Sequence, residues 1–188
     1  MTWQDKLRKI IVHPNFMTLS RIAAAPILIV LLMFPGRITA FSAACVFSIA
    51  AITDYFDGYL ARKWGLVSNL GKILDPLADK LLISSSFVML VSLHYMPAWI
   101  CCVIIGRELA VTGLRCIIAE NGDDVGASWL GKYKTGFQIG CAVPLLLHYQ
   151  YFGIDFNAIG HVLLYGALIF TLWSGLDYFI RFRKLISF

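Results

Sequence analysis

Residues 54–80 read DYFDGYLARKWGLVSNLGKILDPLADK, and this stretch decides how the chain folds. Four aspartates, three glycines and four basic residues sit here across the adjoining ends of two apolar runs, 39–60 and 72–93. Each run comes near the ~20 residues a helix needs to cross a ~30 Å hydrocarbon core. The pattern predicts one helix that ends near Arg62, a polar turn, and a second helix that starts near Gly71. Asp54 and Asp57 then lie one to two turns from the end of the first helix. Asp75 and Asp79 lie at a similar depth in the second. Carboxylates are costly beside lipid, so four at one depth need a compensating partner.

The rest of the chain fits a membrane frame. Of its 188 residues, 59% are hydrophobic and 14% charged, and the mean hydropathy is +0.75. A soluble domain carries about 25% charged residues. Four more apolar runs, 17–35, 97–119, 135–152 and 158–180, bring the total to six. No ~10-residue segments of alternating polarity appear, which excludes a transmembrane barrel. The expected fold is an all-α integral membrane bundle of six transmembrane helices, a single domain over 1–188. The fifth run, broken by Pro144, is the shortest.

Basic residues orient the bundle. With a cytosolic N-terminus, Lys6, Arg8, Lys9, Arg62, Lys63, Lys72, Lys132, Lys134, Arg181, Arg183 and Lys184 face inward, and the outer loops carry only Arg37. This asymmetry follows the positive-inside rule and places both termini in the cytosol. Residues 1–14 form a juxtamembrane segment, with Trp3, Leu7, Ile10 and Ile11 on one helical face, expected to lie along the inner surface. Five further spans argue against reading the first helix as a cleaved signal. Cys45, Cys101, Cys102, Cys116 and Cys141 lack the paired spacing of a zinc site and read as small packing residues. Trp64, Trp129 and Tyr133 suit the inner interface, and Tyr95, Trp99 and Tyr149 the outer one.

The aspartate spacing carries chemistry. Residues three or four apart share a helix face, so Asp54 pairs with Asp57, and Asp75 with Asp79. Protonation relieves four gathered carboxylates in part, and bound divalent cations do so more completely. An all-oxygen set suits Mg²⁺, Mn²⁺ or Ca²⁺ and not zinc. Two such ions can clamp the attacking and leaving oxygens of a displacement at phosphorus. Gly58 and Ala61 leave room for a bulky group, and Arg62 can neutralise a phosphate. Gly71 permits a close approach at the start of the next helix. The bland alternative is that Asp–Arg and Asp–Lys pairs merely tie the helices together.

Read in full, Asp54, Asp57, Gly58, Ala61, Arg62, Gly71, Asp75 and Asp79 spell D-x2-D-G-x2-A-R-x8-G-x3-D-x3-D. This resembles the signature of the CDP-alcohol phosphotransferase family, and chance matches a window to eight fixed positions only roughly once in 10¹⁰. Six membrane helices are also that family's architecture. The resemblance implies an enzyme that displaces CMP from a CDP-linked alcohol with the hydroxyl of a second alcohol. It implies that Asp54, Asp57 and Asp75 hold two divalent ions, Mg²⁺ or Mn²⁺, while Asp79 both contacts metal and takes the acceptor proton. Gly58, Ala61, Arg62 and Gly71 are then expected at the CDP group, with Ser68 from the connecting loop. A homodimer in a bacterial inner (cytoplasmic) membrane, with a cytosolic active site, is implied in the same way.

Shorter stretches resemble the subgroup that joins CDP-diacylglycerol to sn-glycerol 3-phosphate and yields phosphatidylglycerophosphate. They are HPNFMTLSRIAAAPILI at 13–29, DPLADKLL at 75–82, GRELAVTGLR at 106–115 and GKYKT at 131–135. A phosphorylated acceptor needs cations beyond the metals. Arg107, Arg115, Lys132 and Lys134 are the candidates for its phosphate. For Arg107 the competing reading is an ion pair with Glu108, and for the two lysines it is anchoring at the inner surface. Asn15 and Thr18 either cap the first helix or contact the CDP group. No nucleic-acid partner is expected, whereas membrane lipid is. Other acceptors, such as inositol phosphate or serine, use the same chemistry. A cation transporter would explain the aspartates but not Gly58, Ala61, Arg62 and Gly71 at their offsets, and a non-catalytic scaffold would release no CMP.

Overall fold

The computed structural model describes residues 14–34, 36–64, 69–120, 129–151 and 153–181. Along 14–18, 54–64 and 69–76, and at single positions that include Asp79, Cys116 and Lys132, it describes the backbone alone. The expected juxtamembrane segment, up to residue 13, and Ser68 lie outside the described residues.

Among the described residues six helices follow in order: α1 (Pro14–Met33), α2 (Arg37–Trp64), α3 (Asn69–Ser92), α4 (Ala98–Glu120), α5 (Trp129–Leu147) and α6 (Phe156–Arg181). Each overlaps one of the six apolar runs. Among the described residues only the segment Phe156–Ile180 in α6 is both long and apolar enough to cross a membrane by itself. The others are interrupted by polar residues, with Asp54 and Asp57 in α2, Arg107 and Glu108 in α4, and Lys134 and Gln138 in α5. Leu19–Met33, Arg37–Thr53 and Lys80–Ser92 remain as shorter apolar segments.

Two compact units divide the chain, residues 1–89 and 90–188. In the first, α1 packs on α2. Ala24, Ala25, Leu28 and Leu32 are buried on α1, as are Ala40, Ala43, Ala44, Phe47 and Ala50 on α2. Alanines on both helices let the backbones approach, which is how helices associate where lipid removes the hydrophobic drive. Thr39 starts α2 by donating its hydroxyl to the Phe34 and Gly36 carbonyls at 2.6 and 2.9 Å. The opposite faces of both helices expose Ile27, Val30, Ile38, Ile49 and Ile52. Lipid suits such faces better than water does.

In the second unit α6 packs along α5 and also against α4. Glycines set the closeness: a Cβ on Gly160 would meet Leu145 side-chain atoms at 2.7 Å, and one on Gly166 would meet the Phe137 ring at 2.9 Å. The fifth helix differs from its apolar run, starting at Trp129 and ending at Leu147 instead of spanning 135–152. Its first turns carry Lys132 and Lys134, which hydropathy discounts. His148 adopts φ 30°, and a short antiparallel pair follows, β1 (Gln150–Tyr151) with β2 (Ile154–Asp155). Gly153, at φ 77°, supplies the left-handed turn between the strands. Cys101 and Cys141 are buried and unbridged, consistent with packing, while Cys102 is exposed.

Candidate active site

Both helices of the aspartate hairpin run two residues further than the expected ends at Arg62 and Gly71, α2 to Trp64 and α3 from Asn69. Asp54 and Asp57 therefore stand 10 and 7 residues before the end of α2. Asp75 and Asp79 stand 6 and 10 residues after the start of α3. At 1.5 Å per residue these positions are about 15 and 10 Å, and about 9 and 15 Å, from the helix ends. Measured from the helix ends, the two pairs of positions lie at similar depths along the backbone, each about half a turn further in than ends at Arg62 and Gly71 would place it.

Register adds a second relation. At 100° per residue, positions 54, 58 and 61 continue the line through the buried Ala43, Phe47 and Ala50, and position 62 falls in line with buried Ala44. On α3, positions 75 and 79 continue the line through the buried Leu82, Ser86 and Leu90. The exposed Leu77, Leu81 and Val88 mark the opposite side of that helix. The motif positions thus occupy the helix faces that the described segments bury. At Asp54, Asp57, Gly58, Ala61, Arg62, Gly71, Asp75 and Asp79, and at Asn15 and Thr18, the backbone alone is described, so the metal cluster expected of the aspartates lies outside what the structure describes. Among the described residues no group of three or more His, Cys, Asp or Glu is placed to hold a metal ion.

The acceptor-phosphate candidates are described in more detail, and one carboxylate organises them. Glu108 Oε1 accepts from Lys134 Nζ, from Arg107 Nη1 at 3.4 Å and from Gln138 Nε2 at 3.3 Å. Arg107 Nη2 donates to Ser174 Oγ at 2.8 Å. Gln138 also reaches Thr171 Oγ1 at 3.4 Å, and Ser174 Oγ donates to the Thr171 carbonyl at 3.2 Å. The side chains of Arg107, Glu108 and Lys134 are only 10%, 15% and 8% exposed. Three helices contribute: α4 supplies Arg107 and Glu108, α5 supplies Lys134 and Gln138, and α6 supplies Thr171 and Ser174.

Arg107 and Lys134 therefore come together through Glu108. Arg115 takes another position, exposed, with its guanidinium carbon 5.7 Å from the centroid of the Tyr178 ring. The Lys132 side chain lies outside the described residues. The ion pair weighed for Arg107 exists, although adjacent helical residues point about 100° apart. A long arginine side chain closes that angle. Glu108, Gln138, Thr171 and Ser174 were not expected as members of the site. Their signal was available, because polar residues inside apolar runs usually find each other or a ligand. Lys134 and Gln138, four apart, and Thr171 and Ser174, three apart, each share a helix face.

A profile of the CDP-alcohol phosphatidyltransferase family matches residues 11–173. The chain belongs to that family. It is 44% identical over 180 residues to a CDP-diacylglycerol–glycerol-3-phosphate 3-phosphatidyltransferase of Bacillus subtilis, covering 89% of this chain and 93% of the relative. Proteins of the same name from Rickettsia bellii and Shigella flexneri serotype 5b are each 37% identical. Those matches cover 91% and 88% of this chain, and 95% and 91% of the relatives. The profile spans the aspartate hairpin, the α4–α5 cations and Thr171, and so extends well past GKYKT at 131–135, the last stretch that carries the motif resemblance.

Proposed function

We infer that this protein transfers the phosphatidyl group of CDP-diacylglycerol to sn-glycerol 3-phosphate, giving phosphatidylglycerophosphate and CMP. The observation that carries this reading is the near-full-length likeness to the Bacillus subtilis relative of that name. The eight-position motif, lying on two continuous helices at matched depth, supports it. An all-oxygen donor set of four aspartates fits hard divalent cations, and Asp54, Asp57, Asp75 and Asp79 would hold two Mg²⁺ or Mn²⁺ ions. When bound, such ions neutralise the pyrophosphate and make its phosphorus more electrophilic.

The protein's own groups take the remaining tasks. Arg62, with Gly58, Ala61, Gly71 and Ser68, receives the CDP group, and Asn15 and Thr18 contact it from the start of α1. Asp79 accepts the proton of the glycerol hydroxyl as that oxygen bonds to the lipid-bearing phosphorus. The bond from that phosphorus to the CMP oxygen breaks, and CMP leaves with the electron pair. Arg107 and Lys134, with Arg115 and Lys132, hold the acceptor's phosphate. The acyl chains stay in lipid, and the chain acts as a single membrane domain with six spans, cytosolic termini and a homodimeric assembly.

Mass spectrometry of the lipid formed by purified protein from CDP-diacylglycerol, glycerol 3-phosphate and Mg²⁺ tests the reaction. Phosphatidylglycerophosphate with stoichiometric CMP is expected. Product only with inositol phosphate or serine would reject the acceptor and keep the chemistry. No CMP release with any acceptor would reject the enzyme.

A further inference from the structure

We propose that Glu108 is a positioning residue that limits how tightly the acceptor's phosphate is held. It serves as resident counter-anion to Arg107 and Lys134 and yields them to the incoming phosphate. The proposal rests on the reading of those two cations as the acceptor-phosphate site.

Two neighbouring cations with so little exposure would be unstable without a negative partner, and Glu108 supplies one when no acceptor is bound. Gln138, 2% exposed, donates to Glu108 Oε1 and fixes that oxygen between the cations. Arg107 nevertheless keeps unused capacity. A guanidinium carries five N–H donors, yet its contact with Glu108 is long, at 3.4 Å, and its Nε is buried without a hydrogen-bond partner. A buried, partly satisfied arginine beside a lysine is poised for an oxyanion with several acceptor oxygens.

Glu108 matters most after the chemistry. The transfer uses the hydroxyl of glycerol 3-phosphate and leaves its phosphate untouched, so the lipid product carries the same phosphomonoester. Both substrate and product place about −1.5 to −2 charges against this cluster. With Glu108 the trio carries a net charge of +1, and without it +2. A site of +2 would bind the acceptor better but would retain the product. The carboxylate therefore trades acceptor affinity for product release.

Steady-state kinetics with competitive inhibition by inorganic phosphate tests this. Glu108→Gln should lower both the KM for glycerol 3-phosphate and the phosphate inhibition constant by about tenfold, the scale of removing one nearby like charge. Its kcat should fall, and Glu108→Asp should return both constants toward wild type. If Glu108→Gln fails to fold, Lys134→Gln can be compared with Lys134→Gln/Glu108→Gln, which leaves one buried cation instead of two. The double variant should then bind phosphate more tightly than the single one. Folded Glu108→Gln with unchanged or weaker phosphate inhibition, or a double variant no tighter than the single, overturns the proposal. Arg107→Gln separates the two levels. If it weakens phosphate inhibition while Glu108→Gln does not strengthen it, only the role of Glu108 falls. If Arg107→Gln leaves inhibition unchanged, the acceptor-site reading falls, and this proposal with it.

Discussion

Gly175 on α6 lies against the stem of Arg107 on α4: a Cβ built on the glycine would stand 3.2 Å from Arg107 Cγ and 3.4 Å from its Nε. Ser174, one residue earlier, holds the far end of the same side chain at 2.8 Å. α6 thus shapes the arginine at two points, by absence of bulk and by a hydroxyl. Gly175→Ala asks for a shift of a few tenths of an ångström, whereas Gly175→Val must push the stem aside. The valine variant should raise the KM for glycerol 3-phosphate roughly tenfold, the loss of about one charge-assisted contact. The KM for CDP-diacylglycerol should change little. Equal changes in both constants would mean that the glycine serves helix packing alone.

Ranking the four cations gives a second prediction. Lys134 is buried and bound to Glu108, while Arg115 is exposed over Tyr178. Arg107→Gln and Lys134→Gln should raise the KM for glycerol 3-phosphate by about ten- to a hundredfold. Arg115→Gln should have the smaller effect, because a solvated charge contributes little. Parallel KM measurements decide the order, and a dominant effect at Arg115 would move the acceptor's phosphate toward the end of α4.

The sequence offers inner-surface anchoring as the competing role for Lys134, whereas the structure buries that side chain against Glu108 and leaves Arg115 exposed. The helices themselves were legible, since six apolar runs require six helices. The aspartate positions were legible too, because a three- and four-residue spacing keeps its face on any helix. Partnership was not. Lys134 and Glu108 are 26 residues apart on different helices, and only the packing of α4 and α5 on α6 decides what a lysine's long stem reaches. The end of α5 escaped for a similar reason: His148 leaves the helix at a positive φ, while hydropathy runs on to residue 152.

Removing a metal-ligand charge tests the hairpin. Asp57→Asn or Asp75→Asn keeps the side-chain volume and should lower turnover by orders of magnitude. Membrane insertion should persist, because fewer carboxylates enter the bilayer. EDTA should abolish wild-type activity, and Mg²⁺ or Mn²⁺ should restore it. Full activity in excess chelator would sink the metal reading.

Asp79 makes a separable claim. As the base, it is needed after both substrates have bound. Asp79→Asn should keep CDP-diacylglycerol binding near wild type while kcat collapses, since an amide cannot take the hydroxyl proton. Equal loss of binding and turnover would assign Asp79 to metal retention, and near-normal turnover would remove it from the mechanism.

His148 links stability to pH at the other end of α5. Its ring stacks on Tyr95 with centroids 3.9 Å apart, and Nδ1 lies 3.1 Å from the Leu146 carbonyl. With Nδ1–H donating there, Nε2 holds the lone pair, and that atom is buried without a hydrogen-bond partner. A proton on Nε2 would have no acceptor, so burial lowers the imidazole pKa from its usual 6.5, against the smaller opposing effect of the Leu146 carbonyl. The unfolded chain takes up the proton near pH 6.5, and the native protein does so only at lower pH. The folded state binds fewer protons across that interval, so its stability falls as pH drops from about 6.5 toward the native pKa. Above that interval the histidine contributes no slope. His148→Phe keeps a ring against Tyr95 and cannot titrate. Thermal unfolding in detergent between pH 7.5 and 5 should show the melting temperature declining less steeply for the variant than for wild type, whatever their offset at pH 7.5. His94 and His161 remain in both proteins and cancel in the comparison. Parallel declines would show that His148 carries none of the acid sensitivity.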